Sequence, residues 1–236
     1  MNEFDLPLFI RGQIIEDDWR DYSLRHNGKS FRAPNLHRYI KDLPLSNPKA
    51  LKDLQDINFG EILDVLEELG KNLDFDKNPY IRQAYKASLV AAPYPPAMLK
   101  NSYLMLPMAF NRDSIEEIAE KRIGIDYLDG WVSQELLDGR ILNVRAFGAR
   151  TLHIPAGNGG LVSAITLIRN AITRSDAIIK APSNDPMTAM ALARTLAEIA
   201  PNHPLTNHLS VAYWKGGDEN IEQQLFRPEY IEKIIA

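Results

Sequence analysis

The chain has 236 residues, 45% hydrophobic and 25% charged, with a net charge of −4. These are the proportions of a soluble globular protein, and they exclude a disordered, collagen-like or coiled-coil chain. The mild acidic balance gives no electrostatic ground for nucleic acid or an anionic membrane as partner, and the absence of cysteine excludes a disulfide scaffold, a zinc ribbon, an iron–sulfur site and any thiol nucleophile within these residues.

The opening MNEFDLPLFIRG is acidic ahead of a short apolar stretch. That is not the pattern of a signal peptide, and no apolar run reaches the ~20 residues of a membrane span, so a cytoplasmic protein is expected. Residues 1–48 carry four prolines and read as irregular, with Phe9–Ile15 as a strand bent at Gly12. Residues 58–70 predict a helix. Phe59, Ile62, Leu63, Leu66 and Leu69 fall on one face, Asn58 caps the start with Glu61 at the capping-box position, and Gly70 marks the end. Residues 79–92 predict another, with Asn78 as cap and Pro79 in the first turn. A third covers 95–107. A fourth covers 114–122, with Ser114 and Glu117 as a capping box and a solvated, charged face.

Near residue 140 the pattern changes, which divides the chain into a mostly helical 1–140 and a strand–helix region at 141–236. GRILNVRAFG and ARTLHIPAG read as strands around Gly148. Helix 160–175, strand 177–182, helix 186–199 (Asp185 as cap, Pro186 first), strand 209–214, helix 218–226 and a last strand from 232 follow. Consecutive βαβ units with right-handed crossovers make a Rossmann-like parallel sheet, an α/β fold. Ligands of such sheets bind beyond the carboxyl ends of the strands. The segments leaving those ends are PAGNGG (155–160) and KAPSNDP (180–186).

PAGNGG places three glycines before an apolar helix, where backbone amides approach an anion, although it lacks the GxGxxG spacing. The same glycines also suit a tight strand-to-helix turn. Asn158 either donates to a developing oxyanion or caps the helix. Lys180 ends the apolar strand AIIK, placed for a ribose hydroxyl or phosphate, or simply snorkelling to solvent. His26, His37, His153, His203 and His208 show no metal-ligand spacing. Trp131 and Trp214 read as core or sheet residues, since no basic patch surrounds them. Neither GxSxG nor GxxxxGK[ST] occurs.

In IIKAPSNDPMTAMALA, in PNHPLTNHLSVAYW and in PAGN before the first helix of that region, the sequence resembles the bacterial long-chain acyl-CoA reductases of the bioluminescence type, in the aldehyde dehydrogenase superfamily. The last third of the chain carries the resemblance strongly, and residues 1–140 follow it only loosely. It implies that NADPH, with NAD possible, reduces a fatty acyl-CoA or acyl-protein thioester to fatty aldehyde through a cysteine thioester. Asn158 is then the oxyanion donor, and Ile154, Pro155, Lys180 and Ser183 bind the cofactor. Relatives that use NAD carry a glutamate at the Ser183 position. A hydroxyl there, beside Lys180, admits the 2′-phosphate that a carboxylate repels. The family continues past the EKIIA terminus to its cysteine, so the chain is expected to be an amino-terminal portion holding half of the nucleotide site and no nucleophile. The resemblance further implies an acyl-protein synthetase as partner and a homo-oligomer at full length. The alternative is a non-catalytic binding or assembly protein that keeps the dinucleotide fold.

Overall fold

The computed structural model describes residues 2–25 and 27–236, which leaves His26 outside the described residues. Ten strands run in chain order: β1 (Leu8–Ile10), β2 (Gln13–Ile15), β3 (Trp19–Ser23), β4 (Ser30–Pro34), β5 (Val132–Glu135), β6 (Ile141–Val144), β7 (Arg150–His153), β8 (Asp176–Lys180), β9 (Leu209–Ala212) and β10 (Lys233–Ile235). The helices are α1 (Leu36–Tyr39), α2 (Lys52–Asp56), α3 (Phe59–Lys71), α4 (Pro79–Ala91), α5 (Pro96–Leu104), α6 (Leu106–Ala109), α7 (Arg112–Arg122), α8 (Ile125–Asp129), α9 (Gly160–Ile172), α10 (Thr188–Ile199), α11 (Pro204–Asn207) and α12 (Glu219–Leu225).

The central sheet has the order β10-β7-β8-β9-β1-β2. β10, β7, β8 and β9 run parallel, and β1 and β2 complete the sheet in antiparallel. The chain steps from β7 to β8 to β9 in one direction, then returns to lay β10 on the far side of β7. That reversal of direction is the hallmark of a doubly wound sheet. β7, β8 and β9 are buried almost throughout, as parallel strands covered on both faces must be. Alternation along the strands sorts their side chains to two cores. Phe9, Ala177, Ile179, Leu209 and Val211 join the core formed with α3, α4, α9 and α10. Ile10, Leu152, Ile178, Ala212 and Trp214 face the other way, onto Leu36, Ile40 and Leu43 and the α12 residues Ile221 and Leu225.

The caps of α3 and α4 are as the sequence predicts. Asn58 accepts from the Glu61 amide at 2.8 Å, and Asn78 accepts from the Tyr80 and Ile81 amides at 2.9 and 3.0 Å. Several expectations need correction. α3 runs through Gly70 to Lys71, and Glu61 pairs with His203. The single helix expected at 95–107 breaks at Met105, because Pro107 cannot donate and clashes with the preceding turn. α7 starts at Arg112, since Asn111, not Ser114, receives the first-turn amide at 2.9 Å. α10 starts at Thr188, so Pro186 lies in the turn before it, and Asp185 accepts from the hydroxyl of Thr188, the first residue of the helix.

The stretch Phe9–Ile15 is two strands, β1 and β2, joined at Arg11 and Gly12, both with positive φ. GRILNV forms the expected strand, β6. β6 pairs with β5 in a separate hairpin and does not enter the central sheet. The Asp138–Gly139 turn, with Gly139 at φ 81°, is its signal in the sequence. Trp131, expected in a core or sheet, stands exposed beside this hairpin, edge-on to Phe147 at 5.7 Å.

Candidate functional site

A cleft of about 820 Å³ opens at the carboxyl ends of β7, β8 and β9. Its floor is built by the segments that leave those strands. Ile154, Pro155 and Gly157 follow β7. Lys180, Pro182, Ser183 and Asn184 end and follow β8. Tyr213 to Asp218 follow β9. Four of the five expected site residues, Ile154, Pro155, Lys180 and Ser183, therefore meet in one wall-to-wall space. Asn158 does not line it. It is exposed on the loop next to Gly157, two residues before α9.

The PAGNGG loop is locked onto the β8 loop. A Cβ on Gly157 would lie 1.7 Å from Asn184 Oδ1, so only glycine lets the Asn184 amide reach this backbone. The residue before α9 is Gly159, at φ 143°, a conformation other residues rarely adopt. Gly159 and not Asn158 thus occupies the cap position, and helix capping is not the role of the Asn158 side chain.

Below the two loops lies a buried polar cluster. Asp185 accepts from the Thr188 hydroxyl, and Tyr103 bridges Ser88 and Thr188 at 2.7 and 2.8 Å. Burial raises the Asp185 carboxyl above the ordinary aspartate range, against the pull of its hydroxyl partners. Tyr103 is raised by the same burial and by the neighbouring Asp185 charge. α4, α5 and α10 are tied together through this cluster, immediately under the residues that shape the cleft.

Lys180 reaches solvent across the face of Trp214, its Nζ 5.2 Å from the ring centroid. Burial lowers its pKa from the ordinary lysine value. The charge of Glu222 opposes that shift and the charge of Arg25 adds to it. An ammonium that has lost part of its hydration gains more from an anionic ligand than a fully hydrated one.

Sequence reasoning missed the opposite wall. Arg20, Asp21, Tyr22 and Ser23 of β3, with Arg25 after it, face the strand ends across the cleft. β3 pairs with β4 in a hairpin that the proline-rich composition had concealed. Tyr22, Phe31 and Tyr213 pack edge-on and stacked against one another, which fixes this hairpin against the β9 segment. The WKGGD run after β9 carried a readable signal, two glycines between a strand and the capping Asp218.

The four histidines among the described residues sit in structural contacts. His153 donates from Nε2 to Asn170 Oδ1, 3.0 Å away, and burial lowers its pKa. His208 lies between Asp176 and Asp53, and His37 meets Asp218. Among the described residues no group of three or more His, Asp or Glu side chains is arranged to hold a metal ion, and no helix is long and apolar enough to cross a membrane.

A doubly wound sheet with this cleft and this helical flank has the fold of the aldehyde dehydrogenases. A solved NADP-dependent glyceraldehyde-3-phosphate dehydrogenase from Bacillus halodurans superposes with a TM-score of 0.69 at 14% identity, over 96% of this chain and 47% of that one. Aldehyde dehydrogenase 21 from Physcomitrella patens gives 0.72 at 14%, over 98% and 47%. The family model described as acyl-CoA reductase (LuxC) matches residues 54–228, and the chain belongs to that family. The long-chain acyl-protein thioester reductase of Vibrio harveyi is 28% identical over 99% of this chain and 48% of its own length. That of Photorhabdus laumondii is 28% identical over 82% and 41%. The chain spans about half the length of the curated relatives it matches.

Proposed function

We propose that this chain supplies the cofactor cleft and an oxyanion donor to a reductase of long-chain fatty acyl thioesters, acyl-CoA or acyl-protein, that uses NADPH. The observation that carries the reading is the meeting of Ile154, Pro155, Lys180 and Ser183 in one cleft at the carboxyl ends of a doubly wound sheet. The names of its relatives supply the substrate class. A nicotinamide cofactor fits the residues present. The cleft has the volume for an adenosine and its phosphates, and its cations Lys180, Lys215, Arg20 and Arg25 outnumber the carboxylates Asp21 and Asp218. When bound, the cofactor supplies the hydride that turns a thioester into an aldehyde and a thiol. In this reading Lys180 holds the adenosine ribose or its phosphate, Ser183 leaves room for a 2′-phosphate, and the Asn158 amide donates to the thioester oxygen as it gains charge. The nucleophilic cysteine is supplied from outside these residues, which contain none. A cytoplasmic homo-oligomer working with an acyl-protein synthetase completes the proposal.

Two expected results test it. The 236-residue protein alone produces no aldehyde from acyl-CoA and NADPH, because it cannot form the covalent thioester. Aldehyde above background, measured by gas chromatography, refutes the role given to an external cysteine. In a fluorescence titration of the same protein, Lys180→Met weakens NADPH about tenfold or more, since a charge-assisted phosphate contact contributes roughly 1.5–3 kcal/mol, and weakens NADH less. Ser183→Glu shifts the preference toward NADH. Parallel losses for both cofactors in Lys180→Met, with an unchanged ratio in Ser183→Glu, refute the 2′-phosphate assignment.

The zero cysteine count also supports a second reading, a binding or assembly protein without chemistry. The intact mass of the protein in its source cells separates the two. A mass about twice 26.7 kDa, with a cysteine in the added part, favours the reductase.

A further inference from the structure

We propose that Arg25, on the turn after β3, binds a 2′- or 3′-phosphomonoester of an adenosine ribose jointly with Lys180 from the opposite wall of the cleft. The proposal rests on the reading of this cleft as a nucleotide site and adds a second, unsuspected wall to it.

The cleft brings four cations together, Arg20, Arg25, Lys180 and Lys215. Among the described residues none of the four has a carboxylate within salt-bridge distance. The two carboxylates in the lining are already engaged. Asp218 meets His37 at 3.1 Å and caps α12, and Asp21 accepts from the Asn2 amide at 2.8 Å. Two of the cations have aromatic faces beneath them, Lys180 over Trp214 and Arg20 over Tyr22 at 5.8 Å. Arg25 is exposed and has no such partner among the described residues.

Arg25 and Lys180 nevertheless feel one another. The Lys180 pKa is lowered by burial first, and the Arg25 charge lowers it further despite Glu222. Burial raises the Tyr213 phenol, with Tyr22 adding and Arg25 opposing. The guanidinium thus projects its field onto the same floor residues from which a ligand would rise. Two like charges facing one space repel, and a dianion between them turns that repulsion into two attractions. A phosphomonoester carries about −1.5 to −2 charge at neutral pH and three acceptor oxygens. Each phosphorus of a pyrophosphate carries about half of that. The arginine fork reads such a group with paired hydrogen bonds, and the lysine acts as a point charge. The two walls are independent elements, β3 on one side and the end of β8 on the other, and the Tyr22–Tyr213 contact at 4.9 Å packs β3 against the segment after β9, the neighbour of β8.

This chemistry has two sources for a reductase of acyl thioesters, the 2′-phosphate of a nicotinamide cofactor and the 3′-phosphate of coenzyme A. Calorimetric titration of the 236-residue protein with 5′-AMP, adenosine 2′,5′-bisphosphate and adenosine 3′,5′-bisphosphate distinguishes them. The expected result is that one bisphosphate binds about tenfold or more tightly than 5′-AMP. Arg25→Gln removes most of that advantage, leaves 5′-AMP within about twofold, and leaves the melting temperature unchanged because the side chain is exposed. A preference for the 2′ isomer supports the proposal with the nicotinamide cofactor as source, and a preference for the 3′ isomer supports it with coenzyme A. If Arg25→Gln keeps the wild-type ratio, or weakens all three ligands equally, the proposal is overturned, and weaker 5′-AMP binding in Lys180→Met shows that the nucleotide reading of the cleft survives. If the wild-type protein binds none of the three, both are overturned.

Discussion

Asn158→Ala, made in an enzyme of the relatives' full length that carries this sequence, lowers kcat by about 10²–10³, the usual cost of one oxyanion donor. The structure leaves this side chain for such a task. It is exposed, the cap position of α9 belongs to Gly159, and the cleft at the strand ends lies beside it without including it. A donor that acts only as charge develops on the thioester oxygen changes kcat and not the affinity for cofactor. NADPH binding to the variant therefore stays within about twofold by the same argument. Single-turnover aldehyde formation and a cofactor titration measure the two quantities separately. An unchanged rate, or equal losses in rate and cofactor affinity, removes Asn158 from the chemistry.

Arg11→Met is the substitution with the largest expected effect on stability. Arg11 holds both carboxylate oxygens of Asp176, one of them at 3.1 Å, and also donates to the carbonyls of Leu43 and Asn207 at 3.0 and 3.3 Å. Asp176 opens β8 and is almost completely buried, with His208 Nδ1 at 2.9 Å as its other side-chain partner. Without Arg11 a buried carboxylate loses its principal partner, a loss of about 3–5 kcal/mol. That is a large part of the roughly 5–15 kcal/mol that holds a domain together. Urea denaturation should show the midpoint falling steeply. Asp176→Asn in the same background should recover part of the loss, because the stranded charge is then gone. A loss below about 1 kcal/mol in Arg11→Met would mean that water or His208 already satisfies Asp176.

The fold was most legible where one local rule governed each element. From β7 to α12 the alternation of short apolar runs with helical periodicity was enough, because both faces of these strands are covered and little else competes. Asn58 and Asn78 were readable for the same local reason. Asn111 was not, because Ser114 three residues on offered a capping box that the backbone does not use. The strand β6 was legible, but its partner β5 and the strand β3, both largely exposed, were not. Their side chains need not be apolar, as the exposed Arg20, Asp21 and Ser23 of β3 show, and only Asp138–Gly139 announced a turn.

The candidate site divided in the same way. The loops at the strand ends followed from topology, and they do line the cleft with Ile154, Pro155, Lys180 and Ser183. Arg20 and Arg25 had no signal, because what brings them there is the packing of Tyr22 and Phe31 on Tyr213, nearly two hundred positions away. The contact of Asn184 with the Gly157 backbone is likewise a property of two loops meeting, and no spacing rule within either loop announces it.

The antiparallel seam between β1 and β9 has a consequence for biosynthesis. Phe9 pairs with Val211 and Ile10 with Ser210, so this strand is synthesised about 200 residues ahead of its neighbour. At ribosomal speeds of about 5–20 residues per second, the edge of β1 that β9 later covers waits open for about ten seconds or more. The β1–β2 sequence LFI–QII is the apolar, β-prone kind that pairs with whatever strand is at hand. The nascent chain therefore passes through an interval in which its first strands invite a chaperone or another nascent chain, and slowing elongation ahead of β9 lengthens that interval.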